Sequence, residues 1–348
     1  MTTLRRLAHD HLLQALLLLV LVLAILDPHA PREYLLWLDL PTLAGLTGLL
    51  VLAQAVRTSG HVQQFALQLV VQLHSVRALA FVLVLMSAVL STLLTNDVAL
   101  FLVVPLTLSL DRLVPIPRQR LVIFEALAVN AGSTFSPIGN PQNLLLWQRS
   151  GLGFFDYVAA LAPTGAVLLG VLLVACGLAF PATPLRLNAA ATDSPPSDTR
   201  LFAGSLVSLV AMVVAMQWGY AIPAAIVVLA IGMACFRRVL AGVDWLLLLT
   251  FAAMFTGLGH FAALPAVQIH VGAMAWSDPR VAYAGGIVLS QIISNVPAAV
   301  LLQHYVPDVT LLAAAVNVGG AGLLIGSLAN LIALRLDGSR GIGWRFHA

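Results

Sequence analysis

The sequence predicts an all-α polytopic membrane protein of about eight spans, an inverted repeat with two re-entrant hairpins and two discontinuous helices. Three observations carry that expectation. Of 348 residues, 60% are hydrophobic and only 9% charged, against about 25% charged in ordinary soluble domains. Polar, helix-breaking stretches interrupt the apolar segments: "TND" at Thr95–Asp97, "NAGSTFSPIGNPQN" at Asn130–Asn143 and "SNV" at Ser294–Val296. These stretches are paired between the two halves of the chain at fixed offsets.

The apolar runs come first. Leu12–Leu26, Tyr34–Val56, Phe154–Phe180, Leu201–Trp218, Tyr220–Phe236 and Trp245–Leu264 approach or exceed the ~20 residues that cross a bilayer. The Arg-flanked first run could also be read as a signal peptide, but the repeat uses it as a span. Gly60–Ser75 mixes Gln and His with Leu and Val, the pattern of an interfacial helix. After "SNVP" only Ala298–Val306 is apolar before Pro307-Asp308. At about 1.5 Å per residue this run reaches roughly 14 Å, too short to cross. Residues 280–306 therefore form a re-entrant hairpin with Ser294-Asn295 at its tip. By duplication residues 77–110 form another, with Thr95-Asn96-Asp97 at its tip. Residues 120–147 and 309–334 are the broken spans. The stretch "PATPLRLNAAATDSPPSDTR" separates a first half, 1–182, from a second, 201–348, through the linker 183–200.

The repeat has two blocks. Asn96 is matched by Asn295, and Gly60-His61 is matched by Gly259-His260 at the same spacing. The pattern N-x-G-x5-I-G-x3-N begins at Asn130 and again at Asn317, with one constant offset throughout. In lipid every backbone N–H and C=O needs a partner, so irregular backbone persists only inside protein or along a cavity. A broken helix presents free N–H groups at the start of its second piece, a ready anion or dipole site. Pro141 suits a first-turn position, where its missing N–H costs nothing. Such repeats and breaks characterise secondary transporters.

Charge sets the expected orientation. All seventeen basic residues are Arg. With both termini and the linker cytoplasmic, fourteen fall inside and three, Arg32, Arg149 and Arg280, outside, a positive-inside bias. Five crossings separate the starts of the two units, so the units are inverted. Cys176 and Cys235 read as packing residues. Trp37, Trp218, Trp245 and Trp276 fit an interfacial belt, with Asp39 and Asp244 at span ends and His260 and His304 near the outer surface. No phosphate loop, nucleophile elbow, HExxH or basic patch is present; an enzyme, a cofactor and a nucleic-acid partner are not expected.

At "TNDVALFLVVPL", "NAGSTFSPIGNPQN" and "SNVPAAVLL" the chain resembles the ion transporter superfamily. Its members include divalent-anion and citrate carriers, arsenite permeases and NhaD-type sodium/proton antiporters. It is most similar to the small anion permeases of bacterial inner membranes. The resemblance spans roughly residues 12–336. It implies substrate and coupling-ion contacts at the hairpin tips and unwound loops, often with elevator-type movement. Asn96, Ser294 and Asn295 match the family's Ser-Asn-Thr tips, while Thr95 replaces a serine, and Asp97 and Val296 depart from the hydroxyl.

The expected binding residues are therefore Thr95, Asn96, Asp97, Asn130, Gly132, Ser133, Thr134, Ser136, Gly139, Asn140, Asn143, Ser294, Asn295, Gly319, Gly326 and Asn330. A sodium ion at the tips is compatible with the resemblance; no other metal is expected. Asp97 and Glu125 are the candidates for coupling to H+ or Na+, since carboxylates at membrane depth are functional by default. Asp97 could instead cap the helix that follows it, and Glu125 could pair with Arg118 or Arg120. The expected function is secondary-active transport of a small inorganic or organic anion, or of a neutral oxyacid. A cation/proton antiporter and a channel are the alternatives, and a homodimer is left open.

Overall fold

The computed structural model describes residues 11–113, 115–184, 197–339 and 342–347, and all regular elements among them are helical. The first half contains α1 (His11–Leu26), α2 (Pro31–Trp37), α3 (Leu40–Thr58), α4 (His61–Val71), α5 (Val76–Leu93), α6 (Asn96–Leu113), α7 (Arg118–Ser133), α8 (Pro141–Ser150) and α9 (Phe154–Ala179). The second contains α10 (Thr199–Gln217), α11 (Ala221–Cys235), α12 (Arg237–Gly242), α13 (Trp245–Ala263), α14 (Pro265–His270), α15 (Pro279–Ile293), α16 (Asn295–Leu302), α17 (Val309–Gly320), α18 (Leu328–Asp337) and α19 (Ile342–Arg345). The expectations for the N-terminus and for most of the linker fall on residues 1–10 and 185–196, outside the described residues.

Helices begin where a short polar side chain can take an orphan N–H. Asp39, Ser75, Asn140, Asp198, Asp244, Asp278, Asp308 and Ser327 each accept from a backbone N–H of the first turn. This corrects the expected span Tyr34–Val56. Asp39 caps from a left-handed backbone (φ 49°), with its carboxylate accepting from Thr42 N at 3.2 Å. The chain thus breaks into the short α2 and an α3 that runs on to Thr58.

Helices α3, α5, α9, α10 and α13 are long and apolar enough to cross a membrane, and α1, α11 and α17 are shorter apolar helices. The 18 residues of α5 reach about 27 Å. The first limb of the first hairpin is thus of spanning length, unlike the eight-residue α16. Large apolar side chains cover the outside: Val167, Val171, Val174 and Leu178 on α9, and Val207, Val210 and Val214 on α10. Asn130, Asn143, Asn317, Asn330 and Glu125 are buried. That distribution fits lipid as solvent.

Packing is reciprocal, both between the halves and within them. Helix α1 lies on α13, and α11 on α3; α5 lies on α7, and α15 on α17. The second pieces cross over: α8 packs on α16 and α17, and α18 on α6 and α7. The far end of α18 is pinned by Arg118, whose Nε lies 2.8 Å from Asp337 Oδ1 and whose terminal nitrogen lies 3.3 Å from Asp111 Oδ2. Two packing expectations need correction. Cys176 is buried but Cys235 is exposed. Trp276 is buried, its indole donating to Val271 O, and is not a surface belt residue.

Candidate functional site

Each broken helix is locked by amides, and the locks interlace. Asn130 Nδ2 donates to Asn330 Oδ1 at 2.8 Å, while Asn317 Nδ2 donates to Asn143 Oδ1 at 2.6 Å. Asn140 Nδ2 reaches Asn317 Oδ1 at 3.1 Å, and Ser327 Oγ reaches Asn130 Oδ1 at 2.8 Å. Asn143 Nδ2 holds the carbonyls of Ser133 and Ser136, and Asn330 Nδ2 those of Gly320 and Leu323. Each of these bonds has its counterpart at the equivalent positions of the other repeat. These side chains satisfy the carbonyls that a helix break leaves open. Their amides are engaged with protein, and they fix the shape of both loops.

Gly132 and Gly319 permit the close crossing of α5 on α7 and of α15 on α17. A Cβ at Gly132 would lie 2.1 Å from Ala88 O, and one at Gly319 would lie 2.4 Å from Ser290 Cβ. Gly139 O accepts from Asn96 N at 2.8 Å, tying the first tip to the loop. Ser133 Oγ and Thr134 Oγ1 both donate to Asn130 O. Ser136 Oγ accepts from Ile138 N at 3.3 Å. Gly326 closes the single 3-10 turn of the second loop.

The tips meet these loops at a small cavity of about 10 Å³, lined by Asn96, Asp97, Pro141, Leu247, Phe251, Asn295, Val296, Ser327 and Leu328. Apart from the two α13 side chains, this lining consists of the starts of four helices: α6, α8, α16 and α18. Helix N-termini carry partial positive charge and spare N–H groups, so four converging starts make a positive focus without any Arg. Asn295 Oδ1 in this lining is buried without a hydrogen-bond partner among the described residues, as are Thr95 Oγ1, Ser294 Oγ and both amide atoms of Gln142 on residues next to the lining in the chain. Unpartnered polar atoms at such density are costly.

Among the described residues, Asp97 is the only ionisable side chain lining the cavity. Its backbone N–H donates to Asn96 Oδ1 at 2.9 Å. Glu125 is buried away from the lining; Thr107 Oγ1 donates to its Oε1, and its Oε2 is unpartnered. The expected pairing of Glu125 with arginine is not formed. Arg118 turns to Asp337 and Asp111, and Arg120 donates to Ala179 O.

The expected set omits Asn317, Gln142, Ser327, Leu247 and Phe251. Asn317 and Ser327 carry a signal, because they are the repeat equivalents of Asn130 and Asn140. Leu247 and Phe251 carry none: they are apolar residues in an apolar helix.

Helix starts converging on a buried polar cavity, inside a bundle with an apolar exterior, define a membrane transporter and not an enzyme. The profile of the citrate transporter family matches residues 10–311, and the chain belongs to that family. It is 44% identical to the inner membrane protein YbiR of Escherichia coli, over 99% of this chain and 92% of that one. It is 32% identical to the uncharacterized transporter MJ0456 of Methanocaldococcus jannaschii, over 92% of this chain and 86% of that one. A shorter likeness, 26% identity over 38% of this chain and 28% of the other, links it to the silicon efflux transporter LSI3 of rice.

Proposed function

We propose that the protein is a secondary-active carrier of a small anion or uncharged oxyacid, received between Thr95-Asn96-Asp97 and Ser294-Asn295 and coupled to H+ or Na+. One observation carries the reading: four helix N-termini converge on one cavity, whose lining includes the unpartnered amide oxygen of Asn295, with unpartnered groups on the residues next to it in the chain, Thr95, Gln142 and Ser294. N–H groups and hydroxyls recognise oxygens of either a weakly charged or a neutral acid, and no Arg at the cavity demands a full counter-charge. About 10 Å³ is the room of about one water-sized probe. The tips must therefore part from the loops to load an oxyacid, which suits alternating access of elevator type. In this reading the two halves, 1–182 and 201–348, are inverted copies in a bacterial inner membrane. Both termini then face the cytoplasm. The locked amides Asn130, Asn140, Asn143 and Asn330 shape the site, and the tips contact the substrate.

Asp97 supplies the coupling. Ionised, it repels an anion in the same cavity, so loading requires a proton or sodium ion on it first. The same residue favours a second reading, a cation/proton antiporter, because the only charged group at the cavity is acidic. Uptake into proteoliposomes decides between them. A carrier of the proposed kind accumulates an oxyanion or oxyacid, with an ion dependence that Asp97→Asn removes while substrate binding persists. An antiporter instead moves Na+ against H+ with no oxyacid present and is silenced by Asp97→Asn. Unchanged ion dependence in the variant would move coupling to Glu125.

A further inference from the structure

Away from the cavity, the loop between α1 and α2 meets the end of α13. His29 Nε2 lies 3.0 Å from Asp27 Oδ2, and His260 Nε2 lies 3.5 Å from the same oxygen. One donor atom from each residue falls within 4.8 Å of the others. Donors bound at ~2.0–2.1 Å around a tetrahedral zinc ion stand roughly 3.3 Å apart. The two separations from Asp27 bracket that value and the third is no more than 4.8 Å, so an ion fits once the side chains adjust.

Two further observations point to a ligand. His260 is 0% exposed, yet neither ring nitrogen has a good hydrogen-bond partner, a costly state for a polar ring. Its orientation is fixed nonetheless: it stacks on Trp37 at 4.6 Å, with the His29 and Tyr34 rings edge-on at 5.0 and 5.6 Å. The second observation concerns His29, whose Nδ1 lies 2.6 Å from Glu33 Oε2. A carboxylate on the far nitrogen is how proteins orient a metal-ligating imidazole. Two imidazoles and one carboxylate suit zinc-class ions and not magnesium or calcium.

We propose that Asp27, His29 and His260 form a zinc-class cation site, with Glu33 orienting His29. The site clasps the α1–α2 loop of the first half to α13 of the second. Asp27 and His29 remain partly exposed, so the ion has an entry route and an open fourth position.

The test uses the full-length, tag-free protein in detergent after chelator treatment. Zinc is titrated while bound metal and Tm are measured, and Co2+ reports geometry through its visible absorption. Wild type should bind one more Zn2+ per chain than Asp27→Asn or His29→Gln. Its Tm should rise by several degrees with zinc, and its Co2+ bands should have tetrahedral intensity; both responses should be absent in the variants. His260→Ala removes a buried stacked ring and endangers folding, which is why the two near-isosteric variants carry the test. Equal zinc uptake and equal Tm response in wild type and variants would overturn the site. So would a Tm response to Mg2+ as large as that to Zn2+.

Discussion

The two hairpin tips are turned by different means. The first leaves α5 through Leu94, in extended backbone at φ −119° and ψ −166°, and passes Thr95 before α6 begins. The second is turned by Ser294 alone, at φ 79° and ψ 154°, a region that residues with a Cβ rarely enter and that costs roughly 1–3 kcal/mol. The limbs differ as well: α6 has 18 residues and α16 has eight. The loops differ in the same direction. In the first, Ser133, Thr134 and Asn140 bond within the loop. In the second, Gln291 reaches across from α15 to Gly319 O and accepts from Leu323 N. The first half is built as a rigid, polar receptor. The second is shorter and strained, which makes it the better placed to move; in both halves the first limb of the hairpin props the loop, through Thr92 to Gly132 O and through Gln291 to Gly319 O.

The comparison can be broken most severely at the glycines. Gly132→Ala drives a Cβ into the Ala88 backbone, which cannot yield, whereas at Gly319 the nearest obstacle is the Ser290 side chain. Gly132→Ala should abolish monodisperse protein on size-exclusion chromatography. Gly319→Ala should leave a fraction that Ser290→Gly increases. Equal loss at both sites would mean the two crossings are equally tight.

Next come the tips. Asn96→Ala and Asn295→Ala should each lower proteoliposome uptake at least about tenfold, the scale of ~1.4 kcal/mol, with elution profiles unchanged. Loss of folded protein in step with uptake would make these side chains structural.

A smaller effect belongs to the loop locks. Asn143→Ala removes the amide bonds to Ser133 O and Ser136 O, and Asn330→Ala those to Gly320 O and Leu323 O, while each carbonyl keeps one other donor. Each bond lost costs about 0.5–1.5 kcal/mol. The bonds from Asn143 are shorter, at 3.0 and 3.1 Å against 3.2 and 3.4 Å. Its variant should therefore show the larger drop in Tm.

The smallest expected effect sharpens the strain argument. Ser294→Gly removes the conformational penalty and should stabilise by up to about 1 kcal/mol while impairing uptake. Thr95→Gly should only destabilise. A Ser294→Gly protein with a lower Tm would mean that the turn is not strained.

Asparagine spacing, helix breakers and apolar runs determined a good deal by themselves. They gave the all-helical membrane class, the discontinuous helices at Asn130–Asn143 and at Asn317–Asn330, and the turns at Asn96 and Asn295. These are local properties: Pro, Gly and amide side chains act on the backbone within a turn or two of themselves, and a duplicated pattern is readable along the chain. Tertiary structure alone decided which polar groups remain free. Asn130, Asn143 and Asn330 look like ligands in one dimension, but each is bonded to an asparagine from the other half of the chain. Thr95, Ser294 and Gln142, no more polar, have no such partner among the described residues. It also decided that Leu247 and Phe251 close the cavity, and that Asp27 and His29 meet His260 from opposite halves of the chain. The physical reason is that hydrogen-bond satisfaction is settled between elements, and no local preference encodes which distant helix will supply the partner.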